Sequence, residues 1–150
     1  MKPTLCIDFD GTLHKYSKGW KDGSIYDEPI EGSKEFIDSV KDDFNIVIFT
    51  ARMINSNDPN HTKKEIIEWL DKYGIHYDDI TGYKISAVAY IDDRAIEFKG
   101  NWDDIKSKVD EIDESTKKEL KILSWGEINN VKNRLLELYE KSKISKYLLG

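Results

Sequence analysis

Near its start the chain reads Thr4-Leu5-Cys6-Ile7-Asp8-Phe9-Asp10-Gly11-Thr12, an apolar run followed by two aspartates, a glycine and a threonine. The apolar run predicts a strand, and the glycine predicts that the chain turns where the strand ends. Residues i and i+2 of a strand point the same way, so an extended chain would bring both carboxylates together. Such a pair repels unless a divalent cation or a shared proton offsets the charge. A strand that stops in a polar turn explains Asp-Gly alone, whereas the whole pattern favours a functional site.

Two more apolar runs along the chain also end in polar residues. Residues 45–49 predict a strand buried on both faces, which ends at Thr50-Ala51-Arg52. Residues 87–91 predict another strand, which ends at Asp92-Asp93-Arg94. A short strand is also predicted over residues 77–80. The helical spacing of apolar residues predicts helices between and after the strands, over residues 32–41, 61–73 and 102–112.

This alternation predicts an α/β fold, a Rossmann-like parallel sheet with helices on both faces. In such sheets ligands bind outside the carboxyl ends of the strands. The three clearest strands end at Asp8-x-Asp10, at Thr50-x-Arg52 and at Asp92-Asp93. Packing of a core strand gives no reason for it to end in acids, so we expect the site at this edge.

The ordered set of Asp8-Phe9-Asp10-Gly11-Thr12, Thr50, Lys84 and Asp92-Asp93 resembles the four motifs of the haloacid dehalogenase-like (HAD) superfamily. Most members are Mg²⁺-dependent phosphatases or phosphotransferases. The resemblance covers residues 4–112 and implies a catalytic domain over residues 1–113, followed by a helical extension over residues 114–150. Its weakest part is Lys84, because Ile85 stands where the family commonly has proline.

The resemblance implies a role for each motif residue. Asp8 would be the nucleophile that forms an aspartyl-phosphate, and Asp10 the general acid that later acts as base. Mg²⁺ would be bound by the Asp8 side chain, the Asp10 backbone carbonyl and the Asp92 side chain. Asp93 would bind the ion through water or support the direct ligands from outside them. Two residues would contact the phosphoryl group or offset its charge, namely Thr50 and Lys84.

Several polar residues near these motifs have alternative interpretations. Arg52 is a candidate to bind phosphate or another substrate anion, while Arg94 either orients the Asp92-Asp93 pair or makes a structural ion pair. His14 and His61 are interpreted as surface histidines. Residues 13–30, here called the flap, are rich in turn residues, and neither interval between motifs holds a cap domain. The flap aromatics would stack on a base or sugar, or form a small satellite core: Tyr16, Trp20 and Tyr26.

The composition is that of one ordinary soluble domain. An apolar content of 39% with a charged content of 35% is too apolar for disorder and too polar for a membrane protein. No apolar run approaches the roughly 20 residues that span a bilayer, and the start does not resemble a signal peptide, so we expect a cytoplasmic protein. The single cysteine, Cys6, excludes an internal disulfide.

Charge is divided unevenly along the chain. Residues 1–114 hold 15 Lys+Arg and 25 Asp+Glu, whereas residues 115–150 hold 8 and 4. The acidic segment 1–114 does not favour non-specific nucleic-acid binding. The basic tail, residues 115–150, is compatible with a nucleic-acid or protein partner. Ser124 and Glu127 fit a capping box at the start of an amphipathic helix. That helix would pack on its own body or form a homo-oligomer contact through residues 124–140.

We therefore expect a Mg²⁺-dependent phosphatase whose substrate is a nucleotide, a sugar phosphate or a nucleic-acid end. One alternative is a non-catalytic HAD-fold protein that binds a partner through its basic tail. A signalling receiver domain is also a parallel α/β fold, but it places its acid pair at the first strand. Here Asp-x-Asp comes first and Asp-Asp comes last, so the order of motifs argues against a receiver.

Overall fold

The structure is a computed structural model that describes residues 1–112. Its four strands are β1 (Thr4–Asp8), β2 (Asn45–Phe49), β3 (Asp79–Thr81) and β4 (Ala89–Ile91). Its four helices are α1 (Ser33–Val40), α2 (Arg52–Asn55), α3 (Pro59–Lys72) and α4 (Trp102–Asp110). The predictions for residues 114–150, including the Ser124 cap and the oligomer contact, lie outside the described residues.

The strands form one parallel sheet in the order β3-β2-β1-β4. In the register, Asp8 lies opposite Phe49 of β2, and Ile7 lies opposite Ile91 of β4. The carboxyl ends of β1, β2 and β4 therefore lie level at one edge of the sheet. The prediction of a parallel α/β sheet is confirmed. The motif residues at the ends of these strands lie at the carboxyl edge of the sheet, as expected.

Side chains alternate between the two faces along each strand, and the main hydrophobic cluster lies on one of them. Cys6 and Val47, at the alternate positions, are also buried. Leu5 and Ile7 of β1 cluster with their neighbours Ile46 and Ile48 of β2 and with Ile80 of β3. The same cluster contains buried residues of two helices, Ile37 of α1 and Ile66, Trp69 and Leu70 of α3. In this part of the chain α1 and α3 thus cover the same face, and the prediction of helices on both faces stays a prediction.

The helix boundaries follow local capping signals. Helix α3 begins earlier than the expected residue 61, because Pro59 occupies its first turn and the Asp58 side chain accepts a hydrogen bond from the His61 N–H. Gly74, with φ of +64°, follows its end, as predicted. The single turn of α2, directly after β2, is not among the helices that the sequence predicts.

The contacts divide the chain into two compact units, Met1–Ala95 and Ile96–Gly150. In the second unit, the Asn101 side chain caps α4 by accepting from the backbone N–H groups of Asp103 and Asp104. The predicted division into domains 1–113 and 114–150 stays a prediction. Within residues 1–112, none of the helices combines the length and the apolar character needed to cross a membrane.

Candidate active site at the carboxyl edge of the sheet

The turn after β1 separates the two motif aspartates. Phe9 is fully buried, and its carbonyl accepts hydrogen bonds from the backbone N–H groups of Leu13 and His14 at 3.0 and 2.9 Å. Gly11 adopts φ of +82°, a region that favours glycine, and its N–H donates to the His14 carbonyl at 2.8 Å. The chain therefore folds back at once, and the carboxylates of Asp8 and Asp10 enter different surroundings.

Asp8 belongs to an acidic cluster with Asp92 and Asp93. One carboxylate oxygen from each of the three lies within 4.8 Å of the others. The register explains this approach, because Ile7 pairs with Ile91 and the next residues of β1 and β4 therefore lie side by side. The Thr12 hydroxyl lies 3.5 Å from both the Asp8 and the Asp93 carboxylates.

The cluster carries more negative charge than its surroundings offset. The pKa of Asp8 is raised from 3.8 to about 8, first by burial and then by a hydrogen bond with Asp93 and by the charges of Asp92 and Asp93. Three carboxylates that converge in this way supply the hard oxygen ligands that Mg²⁺ prefers. The donor set thus fits the predicted cation, which would remove the repulsion that raises this pKa.

Asp10 has the opposite environment. Its Oδ2 accepts from Arg52 Nε at 2.6 Å, and its Oδ1 accepts from Arg52 Nη2 at 2.9 Å and lies 2.8 Å from His14 Nδ1. Burial alone would raise the pKa of Asp10, but the hydrogen bonds from His14 and Arg52 and the charge of Arg52 outweigh it. The pKa therefore lies below its ordinary value, and the carboxyl is ionised at neutral pH.

His14 is fully buried, so its interpretation as a surface histidine is wrong. Its Nε2 accepts the backbone N–H of Asp27 at 3.1 Å, which leaves the ring proton on Nδ1 for donation to Asp10. The turn after β1 brings the imidazole ring inward against Phe9, whose ring centre is 5.5 Å away, and against Trp69 at 5.8 Å. Nothing in the local sequence marks this long-range packing.

Arg52 connects the turn after β1 to the flap. Its side chain is 4% exposed, and besides its two bonds to Asp10 its Nη1 donates to the Gly23 carbonyl at 2.6 Å. In this arrangement the guanidinium binds groups of the protein itself. Its predicted contact with phosphate stays a prediction, and the partnership with Asp10 is a feature that sequence reasoning missed.

The two remaining motif residues differ in burial. Thr50 is 2% exposed, and its hydroxyl accepts the backbone N–H of Arg52 at 3.2 Å at the start of α2. Lys84 is exposed, and its Nζ lies 5.7 Å from the centre of the Tyr90 ring. Arg94 donates its backbone N–H to the Asp92 carboxylate at 2.7 Å, so its main chain helps to orient that acid. The predicted roles of Thr50 and Lys84 toward a phosphoryl group stay predictions.

The arrangement can therefore hold a hard cation next to one half-buried carboxylate, while a second carboxylate stays ionised nearby. Comparison of the chain with models of protein families, with curated proteins and with solved structures gave no significant match. The resemblance to the HAD superfamily accordingly stays a prediction that is based on the four motifs.

Proposed function

We propose that the protein is a Mg²⁺-dependent phosphatase of the HAD type, which hydrolyses a phosphomonoester through a phosphate attached to Asp8. The observation that carries the proposal is the difference between the two motif aspartates. Asp8 lies in the acidic cluster with Asp92 and Asp93, whereas Asp10 is bound by Arg52 and His14. This difference supports a cation beside the Asp8 carboxylate and a separate role for the Asp10 carboxylate.

The residues that would hold Mg²⁺ are Asp8, Asp92 and Asp93, and the resemblance adds the backbone carbonyl of Asp10. When bound, the ion would reduce the repulsion between the anionic ester and the carboxylates. Thr12 supports the cluster, because its hydroxyl lies within 3.5 Å of two of the three acids. Glycine at position 11 lets the Asp93 carboxylate approach the turn closely.

In the first chemical step, an Asp8 carboxylate oxygen would bond to phosphorus while the bond from phosphorus to the leaving oxygen breaks. In the second step, water would attack the phosphorus of the aspartyl-phosphate and release inorganic phosphate and free Asp8. The ionised carboxylate of Asp10 already has the form of a base for that water. To protonate the leaving group first, Asp10 would have to loosen its contacts with Arg52 and His14, which hold its pKa low.

The test is hydrolysis of p-nitrophenyl phosphate with Mg²⁺ by wild type and by Asp8→Asn, Asp10→Asn and the surface control Asp43→Asn. We expect activity in wild type and the control, loss on adding EDTA, and at least about 10³-fold loss in Asp8→Asn, because an amide is a poor nucleophile. Mg²⁺ affinity should fall in Asp8→Asn and change little in Asp10→Asn. The proposed phosphatase activity would be refuted if wild type and Asp8→Asn were equally inactive over a broad panel of phosphate esters.

The alternative is a HAD-fold protein that binds without turnover. One observation favours it, because a carboxyl held ionised by Arg52 and His14 is a poor proton donor. The two functions differ in the reactivity of the leaving group. An enzyme limited by proton donation hydrolyses aryl phosphates much faster than alkyl phosphates, because an aryl oxide is stable as an anion and leaves without a proton. A binding protein takes up Mg²⁺ and hydrolyses neither kind of ester.

A further inference from the structure

An open pocket lies between the tip of the flap and the chain around the start of α3. Its volume is about 390 Å³, within the range of small-ligand sites. Trp20, Asp22 and Gly23 of the flap form one side, and residues of α2 and α3, including Glu65, form the other. Arg52 contributes to its wall, and the same side chain holds Asp10, so the pocket adjoins the proposed active site.

Trp20 is the flap aromatic that faces this pocket. Its side chain is 42% exposed, and the Arg52 guanidinium lies 5.3 Å from the centre of its ring. Tyr16 and Tyr26 instead stack on each other with ring centres 6.2 Å apart, and both contact His14. The tyrosines thus form the satellite core that the sequence left as an alternative, while Trp20 lines the pocket and is the more exposed aromatic residue.

The polar groups of the pocket favour a ligand with hydrogen-bond donors over an anion. Two carboxylates line it, Asp22 and Glu65. Hydrogen bonds from Ser24 lower the pKa of Asp22, so that carboxylate accepts hydrogen bonds and donates none. The buried cation in the wall, Arg52, is already neutralised by Asp10. His61 also lines the pocket, and its Nε2 lies 3.4 Å from Glu65 Oε1. Both basic side chains in the lining thus already face a carboxylate, so the pocket favours amino and hydroxyl groups over a phosphate.

We propose that this pocket binds a nucleobase, stacked on Trp20, with its N–H groups donated to Asp22 and Glu65. The inference rests on the proposed function, because it makes the substrate a nucleoside phosphate whose ester group reaches Asp8. The pocket is open, so the base could belong to a mononucleotide or to the end of an oligonucleotide, which supply the same chemistry.

The first test measures binding without catalysis. Adenosine, guanosine, cytidine and uridine are titrated separately into the full chain, with binding followed by calorimetry and by NMR of the indole N–H groups. We expect one or more nucleosides to bind wild type and about tenfold or greater loss of affinity in Trp20→Ala, since stacking of a base on an aromatic ring is strong. Trp20→Phe should retain most of the binding. Phe36→Ala, which removes an aromatic ring of similar exposure on α1, is the matched control.

A second pair of variants tests the acceptors. Glu65→Gln should weaken nucleoside binding several-fold, whereas Glu68→Gln on the same helix, whose carboxylate lies 3.9 Å from Lys64, should not. Absence of nucleoside binding to wild type overturns the inference, as does binding that Trp20→Ala and Glu65→Gln leave unchanged. The wild type is then assayed with nucleoside monophosphates and with phosphorylated dinucleotides, and the higher kcat/KM identifies the source of the base.

The two proposals fail separately. Nucleoside binding that depends on Trp20, without hydrolysis of any phosphate ester, supports the pocket and refutes the phosphatase. Hydrolysis of p-nitrophenyl phosphate that depends on Asp8, without nucleoside binding, supports the phosphatase and refutes the base site. In an enzyme that has both, Trp20→Ala should raise KM for the nucleotide by a larger factor than it raises KM for ribose 5-phosphate, which has no base.

Discussion

Arg52 and Asp10 lie 42 residues apart in sequence and form a bidentate ion pair, with Nε–Oδ2 at 2.6 Å and Nη2–Oδ1 at 2.9 Å. The pair joins the turn after β1 to the start of α2, and the third bond of Arg52, to the Gly23 carbonyl, attaches the flap. Both side chains are largely removed from water. We therefore expect the pair to hold the turn after β1 and the flap in position, as well as to keep Asp10 ionised.

Replacing Arg52 by lysine should therefore destabilise the protein. A lysine keeps the charge but cannot supply the planar fork that binds both oxygens of Asp10 and also reaches the flap. We expect Arg52→Lys to lower the free energy of unfolding by about 3 kcal/mol in urea denaturation, because it leaves a buried acid incompletely paired. The control is Lys63→Met, which removes a surface partner of Asp79 and should cost less than about 0.5 kcal/mol. Similar effects of the two substitutions would contradict the role given to Arg52.

Replacing Gly11 by alanine should weaken the acidic cluster. A Cβ at this position would lie 2.8 Å from the Asp93 Cγ, so the carboxylate would have to move, and the φ of +82° is itself strained for alanine. Gly32→Ala is a matched control, because Gly32 has φ of +88° with no atom within 4 Å of the added Cβ. Both variants should lose about 1 kcal/mol from backbone strain. Gly11→Ala alone should also lower Mg²⁺ affinity, measured by calorimetry, and equal affinities would argue against a cation at Asp93.

The raised pKa of Asp8 predicts how the metal-free protein responds to pH. Between pH 3.8 and about 8 the folded state keeps a proton on Asp8 that the unfolded state has released, so stability falls as the pH rises through this range. At pH 8 in EDTA, Asp8→Asn should be more stable than wild type by on the order of 1–3 kcal/mol, since a pKa difference of one corresponds to about 1.4 kcal/mol.

Thermal unfolding from pH 5 to 8 checks this expectation, with Asp43→Asn as the exposed control. Saturating Mg²⁺ should stabilise wild type and reduce its dependence on pH, because the cation favours the ionised carboxylate. If wild type without metal became more stable than Asp8→Asn as the pH rose, the acidic cluster would not be the source of repulsion that the structure indicates.

His14 should contribute to stability through its two hydrogen bonds. In His14→Phe the ring is kept, but Asp10 loses one donor and the Asp27 N–H loses its acceptor. We expect a loss of about 1–3 kcal/mol, typical of polar groups left without partners. Hydrogen exchange at the Asp27 amide should accelerate more than global unfolding explains. His61→Phe, at a side chain that is 65% exposed, should change neither quantity. An unchanged Asp27 amide in His14→Phe would show that the bond to Nε2 is not formed.

Much of the fold was predictable because its signals are local. The apolar runs at residues 45–49 and 87–91 and the periodic helix at 61–73 correspond to β2, β4 and α3 within a few residues. The expected edge for the site follows from the parallel order of the strands. Helix α3 begins two residues before the expected residue 61. Asp58 caps it and Pro59 fits its first turn, and both signals are present in the sequence.

The contacts of the site were less predictable. The sequence indicated that Asp8 and Asp10 differ in role, but their partners depend on how the turn after β1 directs each side chain. The histidine at position 14 was interpreted as exposed, because nothing within a few residues of it shows that Phe9 and Trp69 enclose its ring. The sequence does not distinguish the three flap aromatics. Packing leaves Trp20 exposed and stacks Tyr16 on Tyr26.

The sequence by itself determined the order of strands and helices, the edge at which the acids gather and the glycine at the turn, because hydrophobic periodicity and backbone freedom are properties of short segments. Only the tertiary structure decided which charged side chains contact one another. Arg52 reaches Asp10 and Gly23, and Asp92 and Asp93 reach Asp8, through sheet register and side-chain packing between segments far apart in the chain. Those long-range distances decide that Asp8 lies among other carboxylates and that the Asp10 carboxylate lies against Arg52 and His14.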